Sequence, residues 1–438
     1  NRFPLDSADD DVVAYGKSRA GVALNADTWK LQESVGAKMA EKRLPGSDNW
    51  EDSLRTYLWQ QSAEANWKFL QLEHLLQYEY SRNEGEDEGS WLGDLTGTFG
   101  NRDGAIHGNV AYKFGLTEEQ TYISVYKAVA PGTGDVRYDS LTGTFIEGVD
   151  NGDFVYEGKG RNDSVGAVLA SNASFNAGLE IRPALLLGVK RGFLKDVVVG
   201  GSFSSEGEDT TGKKLYFPPV TSSMLHDVSA GKIAWDGHVD WNHSKGFSAT
   251  YNPGAEYEKI MSTIPYFSEM HYHDVSFGVQ INENNFVGAT GRYETDDLTA
   301  LRILEWNIRE ASLKYRLGFL KYFHVEPGVH YRYGTGSDEM DENFDADLKE
   351  ALVRLEFDVD DKIHSFVQFS AIDVDCGNDE IPYQMMSGYN DGRTYRLETS
   401  LSVKLNKFIA LDGRYLLRFG DAEENIFQKL STEARAFF

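Results

Sequence analysis

The sequence of 438 residues contains a single cysteine, Cys376, and only 10 prolines. One thiol excludes an internal disulfide and any metal cluster held by several cysteines. Long hydrophobic runs are also missing: the longest candidate, Ala184–Val189, is far shorter than the roughly 18 apolar residues that a membrane-spanning helix requires. A helical membrane protein is therefore excluded. A transmembrane β-barrel is not, because only every second residue of its strands has to be apolar.

Positive charge is in deficit, with 43 Lys and Arg against 69 Asp and Glu and a formal net charge of -26. This balance disfavours a nucleic acid as partner. Aromatic residues (25 Phe, 23 Tyr, 8 Trp) and 43 glycines are abundant, which argues against disorder and fits many strands and turns. The chain starts at Asn1 without Met and without an apolar leader. We therefore expect a mature or trimmed chain, or part of a longer protein whose upstream portion is missing.

Strict alternation of apolar and polar residues is the clearest pattern in the chain. It runs through Tyr395–Leu405 and resumes in Ile409–Phe419, and the short polar break between these runs predicts a hairpin. The same alternation predicts further strands at Leu70–Tyr80, Val275–Ile281, Ala311–Leu317, Phe323–Tyr333 and Val353–Val359. Pro327 lacks a ladder donor and predicts a bulge or a weak spot in its strand.

The connections between the predicted strands alternate in length. Short turns are predicted at Asn282–Asn285, Gly318–Lys321, Asp360–Lys362 and Asn406–Lys407. Long polar loops are predicted between them, at Tyr251–Met270, Gly334–Phe344, Val374–Gly392 and Gly420–Ile426. This rhythm is typical of a transmembrane barrel, with tight turns at one rim and long loops at the other. The region Val129–Ala170 predicts a long structured loop or a small inserted hairpin.

The end of the chain alternates again, with Leu430, Ala434, Ala436 and the terminal Phe438 on one face. A last strand of this kind resembles the assembly signal of Gram-negative outer-membrane β-barrel proteins. The resemblance is to an architecture rather than to a subfamily, and Ala434 and Ala436 are smaller than the apolar residues usual there. It implies recognition by the barrel-assembly machinery, location in the bacterial outer membrane, and contact with membrane lipid and lipopolysaccharide.

These observations together predict an all-β protein: a transmembrane antiparallel β-barrel of about 18–20 strands, forming a single domain over residues 1–438. The strand list comes to about nineteen. Bacterial barrels usually have even strand numbers, so either one strand is missed or an upstream part is absent. The polar residues of the C-terminal strands are predicted to line the lumen, namely Arg316, Arg332, Arg354, Glu356, Arg396, Glu398, Lys404, Asp412, Arg414, Arg418 and Arg435.

Other chemistry has little support in the sequence. The acidic run that contains Asp338, Asp341 and Asp345 offers weak candidates for a divalent cation, but it lacks the spacing of an EF-hand and is better explained as a solvated loop. His271 and His273 lack a placed third ligand, so ordinary polar positions near a rim are the better explanation. No nucleophile, zincin, P-loop or dinucleotide motif is present. We therefore expect no enzyme, no metal site and no cofactor.

Three functions are compatible with these predictions. The first is a porin-like channel for small polar solutes, selected by the inward arginine and carboxylate side chains. The second is a structural barrel that anchors a surface assembly or sheaths a protein partner, held in the lumen or at the long loops. The third, a soluble secreted all-β binding protein, explains the aromatic residues but not the alternating loop lengths.

Overall fold

The computed structural model describes residues 13–43, 50–83, 86–101, 104–119, 122–129, 134–140, 144–161, 168–211, 213, 215–243, 246–260, 266–300, 302–320, 322–340, 343–359, 362–377, 381–406, 409–422 and 426–436. Strands dominate these ranges, and the helical elements are single turns. The latter are α1 (Pro183–Leu186), α2 (Ser222–Leu225) and two 3-10 turns, Phe193–Asp196 and Tyr383–Met386. None of the helices in the described ranges is long and apolar enough to cross a membrane.

The strands follow one another along the whole described chain. In chain order they are β1 (Val13–Asn25), β2 (Trp29–Arg43), β3 (Trp50–Trp67), β4 (Leu70–Asn83), β5 (Glu86–Gly100), β6 (Ile106–Glu119), β7 (Tyr122–Ala128), β8 (Gly134–Asp139), β9 (Thr144–Gly152), β10 (Phe154–Arg161), β11 (Val168–Ile181), β12 (Val197–Asp209), β13 (Ala230–His243), β14 (Phe247–Ile260), β15 (Tyr266–Asn282), β16 (Asn285–Thr299), β17 (Ile303–Leu320), β18 (Phe323–Asp338), β19 (Asn343–Val359), β20 (Ile363–Cys376), β21 (Gly392–Asn406), β22 (Ile409–Gly420) and β23 (Phe427–Ala436). Four of them, β7 to β10, are short and form a small sheet, which leaves 19 long strands. The predicted all-β class and the predicted 18–20 strands are confirmed.

The chain divides into two compact units. Unit 1 comprises Asn1–Gln120, Val165–Gly188 and Gly200–Ala234, and unit 2 comprises Thr121–Ser164, Val189–Val199 and Trp235–Phe438. The single domain expected for residues 1–438 stays a prediction.

Unit 1 is a series of antiparallel hairpins. Strands β1 to β6 pair in chain order, and β6 also pairs with β11. The register places Trp59 opposite Tyr78 and Tyr78 opposite Trp91, so that an aromatic cluster forms on one face. The connection between β12 and β13 packs on the same unit, where the hydroxyl of Tyr112 donates a hydrogen bond to the carbonyl oxygen of Tyr216.

Unit 2 contains the longest run of paired strands. Each strand from β14 to β23 pairs antiparallel with the next one. The small sheet, in the order β7-β10-β8-β9, also belongs to unit 2 and includes most of the described part of Val129–Ala170. Stacked rings, among them Tyr126 and Phe145 with centroids 4.1 Å apart, cover one of its faces.

Two of the predicted long loops are largely strand, and these predictions are wrong. Within Tyr251–Met270, β14 continues to Ile260 and β15 begins at Tyr266. Within Gly334–Phe344, β18 continues to Asp338 and β19 begins at Asn343. The reason is that ladder hydrogen bonds join backbone groups and do not require apolar side chains. The other two long connections, after β20 and after β22, lie where the sequence places them.

Pro327 weakens one ladder without bending it. Its pairing with Val353 of β19 is continuous with the neighbouring pairs. On the side of β17, the pairs jump from Lys314 and Gly328 to Leu317 and Val325 without a change of register. The predicted bulge is therefore absent, while the predicted weak spot is present.

Two strand glycines allow the packing of unit 2 to be tested. A Cβ atom at Gly336 would lie 2.5 Å from the carbonyl oxygen of Glu305 and against the ring of Phe344, whereas a Cβ at Gly413 would meet nothing within 4 Å. We expect Gly336→Ala to lower the free energy of unfolding by about 1–3 kcal/mol, because the neighbouring backbone must move. The control Gly413→Ala should leave stability unchanged or slightly raised. Denaturant titration of the folded protein measures both, and equal effects would contradict the packing described here.

Candidate functional site

The two faces of unit 2 differ in chemistry and in exposure. From β15 to β22, odd-numbered residues share one face, here called the apolar face, and even-numbered residues share the other, here called the polar face. On the apolar face the large hydrophobic side chains are open to the surroundings: Leu313, Val329, Val353, Phe369 and Leu411 are 43–54% exposed. Most charged side chains of the polar face are less exposed than these apolar ones. A water-soluble protein has the opposite arrangement, with large apolar side chains covered and charged side chains exposed.

A row of alternating charges crosses four neighbouring strands of the polar face. Asp274 lies opposite Arg292, Arg292 opposite Glu310, and Glu310 opposite Arg332. Arg292 Nη1 lies 3.3 Å from Asp274 Oδ2, and Arg332 Nη1 lies 3.5 Å from Glu310 Oε2. Arg292 also donates to Glu294 on its own strand, at 2.6 Å. Each arginine therefore lies beside carboxylates that offset its charge.

His330 extends this row on β18. Its Nε2 lies 3.0 Å from Glu310 Oε1, and its Nδ1 lies 3.6 Å from Glu350 Oε2 on β19. The imidazole thus bridges carboxylates on the two strands that flank it.

A second cluster lies on the polar face nearer the short turns. Arg316 Nη2 and Arg354 Nε lie 2.9 Å and 2.8 Å from the two carboxylate oxygens of Glu356. The Arg354 guanidinium also stacks 3.9 Å from the centre of the Phe366 ring, a cation–π contact. One carboxylate therefore orients two arginines, Arg316 of β17 and Arg354 of its own strand, β19.

A third cluster spans β21 to β23. Arg396 and Arg414 donate to opposite oxygens of Glu398 at 3.0 Å and 2.9 Å. Arg435 of β23 donates from Nε to Asp412 of β22 at 2.9 Å. Arg396 lies directly opposite Arg418 in the ladder, so two like charges are held side by side.

The connection between β20 and β21, here called the β20–β21 segment (Ile381–Asp391), packs on this face. Met385 and Met386 are fully buried in a cluster with Leu304, Ile308 and Leu348, which continue the polar face towards the longer connections. Ser387, with a φ of 52°, and Gly388, with a φ of 85°, turn the backbone after the buried methionines. The apolar end of this face thus receives two large apolar side chains that would be costly to leave in water.

Three arginines of the polar face hold the rest of the segment. Arg332 Nη1 donates to Ser387 Oγ at 2.8 Å, and Arg396 Nη1 donates to the Tyr389 hydroxyl at 3.4 Å. The Arg418 guanidinium lies 5.0 Å from the centre of the Tyr389 ring. Burial raises the pKa of the Tyr389 phenol, so this group stays neutral between the two cations.

The small sheet also reaches the segment. Arg137 of β8 donates from Nη1 to Oδ1 of Asn390 at 3.0 Å. In the ladders of this sheet, Arg137 alternates with Val136 and Tyr138, which belong to the face that carries the stacked rings. The aromatic face therefore lies opposite the face that carries this contact.

All eleven residues predicted to line a lumen share the polar face. Ten belong to the clusters above, and Lys404 lies opposite Ala410, which in turn pairs with Arg435. Sequence reasoning missed Asp274, Arg292, Glu310, His330 and Glu350, although their alternating strands give the same signal. It also missed Ser387 and Tyr389, for which no local signal exists.

The predicted assembly signal lies partly within the described chain. Leu430 and Ala434 are exposed, and they pair with Tyr415 and Leu411 of the apolar face. Ala436 pairs with Ile409, and Phe438 lies outside the described residues. Its role in assembly stays a prediction.

The weak candidates for a cation site do not come together. Asp338 lies on the polar face, where Oδ1 accepts a hydrogen bond from the backbone of Met340, while Asp345 lies on the opposite face. Asp341 lies outside the described residues. Within the part of the chain that the structure describes, no group of three or more metal-ligating side chains is found.

Comparisons with known proteins give structural similarity alone. The sequence matches no protein family and no curated protein. Among solved structures, OccK5 (OpdH) of Pseudomonas aeruginosa is 9% identical over 98% of this chain and 99% of its own, with a TM-score of 0.36. OpdQ of the same species is 9% identical over 95% and 97%, with a TM-score of 0.38. OmpT of Vibrio cholerae, an outer membrane protein, is 12% identical over 85% and 90%, with a TM-score of 0.32.

Every one of these TM-scores is below 0.5, so the fold rests on the chain's own strands, registers and faces. These establish long antiparallel strands with one apolar and one charged face.

The buried methionines of the β20–β21 segment yield a stability test. We expect Met385→Ala to cost about 2–5 kcal/mol of unfolding free energy, because it leaves a cavity under the segment. The control Met340→Ala changes an exposed side chain and should have almost no effect. Limited proteolysis should cut the segment faster in the first variant only. Equal cleavage in both variants would contradict the packing of the segment on the polar face.

Proposed function

We propose that the chain is a bacterial outer-membrane β-barrel whose polar face lines a water-filled pore for small polar solutes. The observation that carries this proposal is the reversed exposure of the two faces. Large apolar side chains stand exposed along strand after strand, while arginines and carboxylates are paired and partly covered on the other side. Exposing such an apolar face to lipid acyl chains has no cost in free energy, whereas exposing it to water does.

Strand length and pairing support the same proposal. The long strands have 10 to 18 residues, enough to cross the hydrocarbon layer at a tilt and to extend beyond it. Lipid offers no hydrogen bonds to a free strand edge, so a spanning sheet must close on itself. Closure is part of the proposal, as is delivery by the barrel-assembly machinery through the last strand.

The charged clusters would give the pore its selectivity. The arginines and carboxylates are fixed by their partners at distances of 2.8–3.5 Å, so they would present a permanent transverse field rather than mobile charges. The β20–β21 segment would narrow the lumen from one wall. Small polar or zwitterionic solutes, which can exchange water for both signs of charge, are the expected permeants.

A structural role is the second candidate, and one contact favours it. The hydrogen bond between Arg137 and Asn390 links the small sheet to the segment that packs on the polar face. If protein rather than water fills the lumen, the barrel would serve as an anchor for a partner. The pore would conduct ions across a bilayer, whereas the filled barrel would not.

The lipid contact of the apolar face is tested by two neighbouring residues of β17. Leu313→Arg and Ser312→Arg place the same side chain on opposite faces. We expect Leu313→Arg to cost about 2–4 kcal/mol in lipid vesicles, because a cation enters the hydrocarbon layer. Ser312→Arg should cost less, since it loses only the 2.6 Å hydrogen bond to Thr290 beside Glu310. Unfolding by urea in vesicles measures both, and equal costs would exclude lipid contact at Leu313.

The pore is tested in planar bilayers with folded, heat-modifiable protein. Discrete conductance steps are expected, and Arg414→Glu should shift the reversal potential in a salt gradient towards cation selectivity. Arg414→Lys keeps the charge and should behave as the unchanged chain does. Correctly folded protein without conductance would remove the channel and leave the anchoring role.

A further inference from the structure

One segment of unit 2, Val189–Lys195, combines exposed apolar and basic side chains. From Val189 to Lys195 the chain has three basic residues and no acidic residue, in a protein of net charge -26. Lys190, Arg191 and Lys195 are exposed, and so are Phe193, at 61%, and Leu194. This local excess of positive charge is opposite to the charge of the chain as a whole.

The position of the segment is fixed by β13. Phe193 packs on Trp241, with ring centroids 5.3 Å apart, and Trp241 stacks on His243. Asp196 accepts a hydrogen bond from Nδ1 of His243 at 2.8 Å, so the first carboxylate after the basic residues is already engaged. The segment therefore lies at the end of β13 from which a tight turn, closed by the hydrogen bond from Gly246 to His243, leads to β14.

This end of β13 corresponds to the rim of short turns. Phe247, the first residue of β14, pairs with Val279 close to the tight turn between β15 and β16. In the proposed barrel, Trp241 and Phe193 would lie where the hydrocarbon layer meets the headgroups, the depth at which aromatic rings are enriched. Cations beside these rings would reach the phosphate level while the apolar side chains enter the acyl region.

We propose that Lys190, Arg191 and Lys195 bind the headgroups of anionic phospholipid in the leaflet on the short-turn side, with Phe193 and Leu194 inserted beside them. The inference rests on the membrane location proposed above and adds a lipid class to it. The charge complementarity identifies the occupant: a neutral leaflet would satisfy the apolar side chains but leave three cations without counter-charges.

The test uses the full chain folded into vesicles of equal parts phosphatidylcholine and phosphatidylglycerol. Folding is first checked by heat-modifiable migration on a gel. The protein is then extracted in mild detergent, and the two lipids that it retains are counted by native mass spectrometry. The unchanged chain should retain phosphatidylglycerol preferentially. The preference should disappear when the vesicles are extracted in 1 M salt, because a Debye length of ~3 Å screens the attraction between the cations and the headgroups.

Two double variants separate this site from general electrostatics. Lys190→Gln with Lys195→Gln should lower the preference for phosphatidylglycerol about fivefold or more, since each cation near an anionic surface contributes about that factor. The matched control, Lys68→Gln with Lys362→Gln, removes two exposed cations in tight turns and should keep the preference.

The outcomes are distinguishable. Folded protein without a preference for phosphatidylglycerol, or an equal loss of preference in both double variants, overturns the lipid site and leaves the proposed pore standing. Failure of the unchanged chain to enter these mixed vesicles overturns the proposed membrane location and the lipid site with it.

Discussion

The structure of unit 2 depends on the two-residue period of its strands, which sends neighbouring side chains to opposite faces. Across nine consecutive ladders the register shifts only beside tight turns, so one face collects the apolar residues and the other collects the charges. Opposite positions in a ladder are about 5 Å apart, so each charge must tolerate its neighbour across the strand. The sequence Asp274, Arg292, Glu310 and Arg332 meets this requirement by alternating in sign. Loss of one member would leave an arginine or a carboxylate partly covered and unbalanced.

The β20–β21 segment depends on the same charges. Arg332 contacts both Glu310 and Ser387, and Arg396 contacts Glu398 and Tyr389. The guanidinium group suits this role because its several N–H groups can donate to a carboxylate and to a second acceptor at the same time. The position of the segment is therefore coupled to the charge pattern of the strands, so the width and the field of the proposed pore are set together.

The sequence predicted the elements that depend on a local pattern, the alternation of apolar and polar residues along a strand. The alternation in Tyr395–Leu405 and Ile409–Phe419 gives most of β21, nearly all of β22 and the two faces of both strands. Strand ends in the polar region after Tyr251 were misjudged, because backbone pairing continues where the side chains give no apolar signal. The burial of Met385 and the contact between Arg396 and Tyr389 could not be predicted from the sequence. Both are contacts between a connection and distant strands, which depend on tertiary packing and leave no local pattern.

The exposure of the arginines shows which part of the polar face the β20–β21 segment covers. The Arg332 and Arg396 side chains, which touch the segment, are 14% and 20% exposed, whereas Arg414 and Arg435, which lie away from it, are 52% and 51% exposed. The segment thus covers the polar face at one level and leaves the arginines of β22 and β23 uncovered at another. A pore narrowed at one level has this distribution of exposure, and in such a pore the segment, more than the strands, would decide what passes.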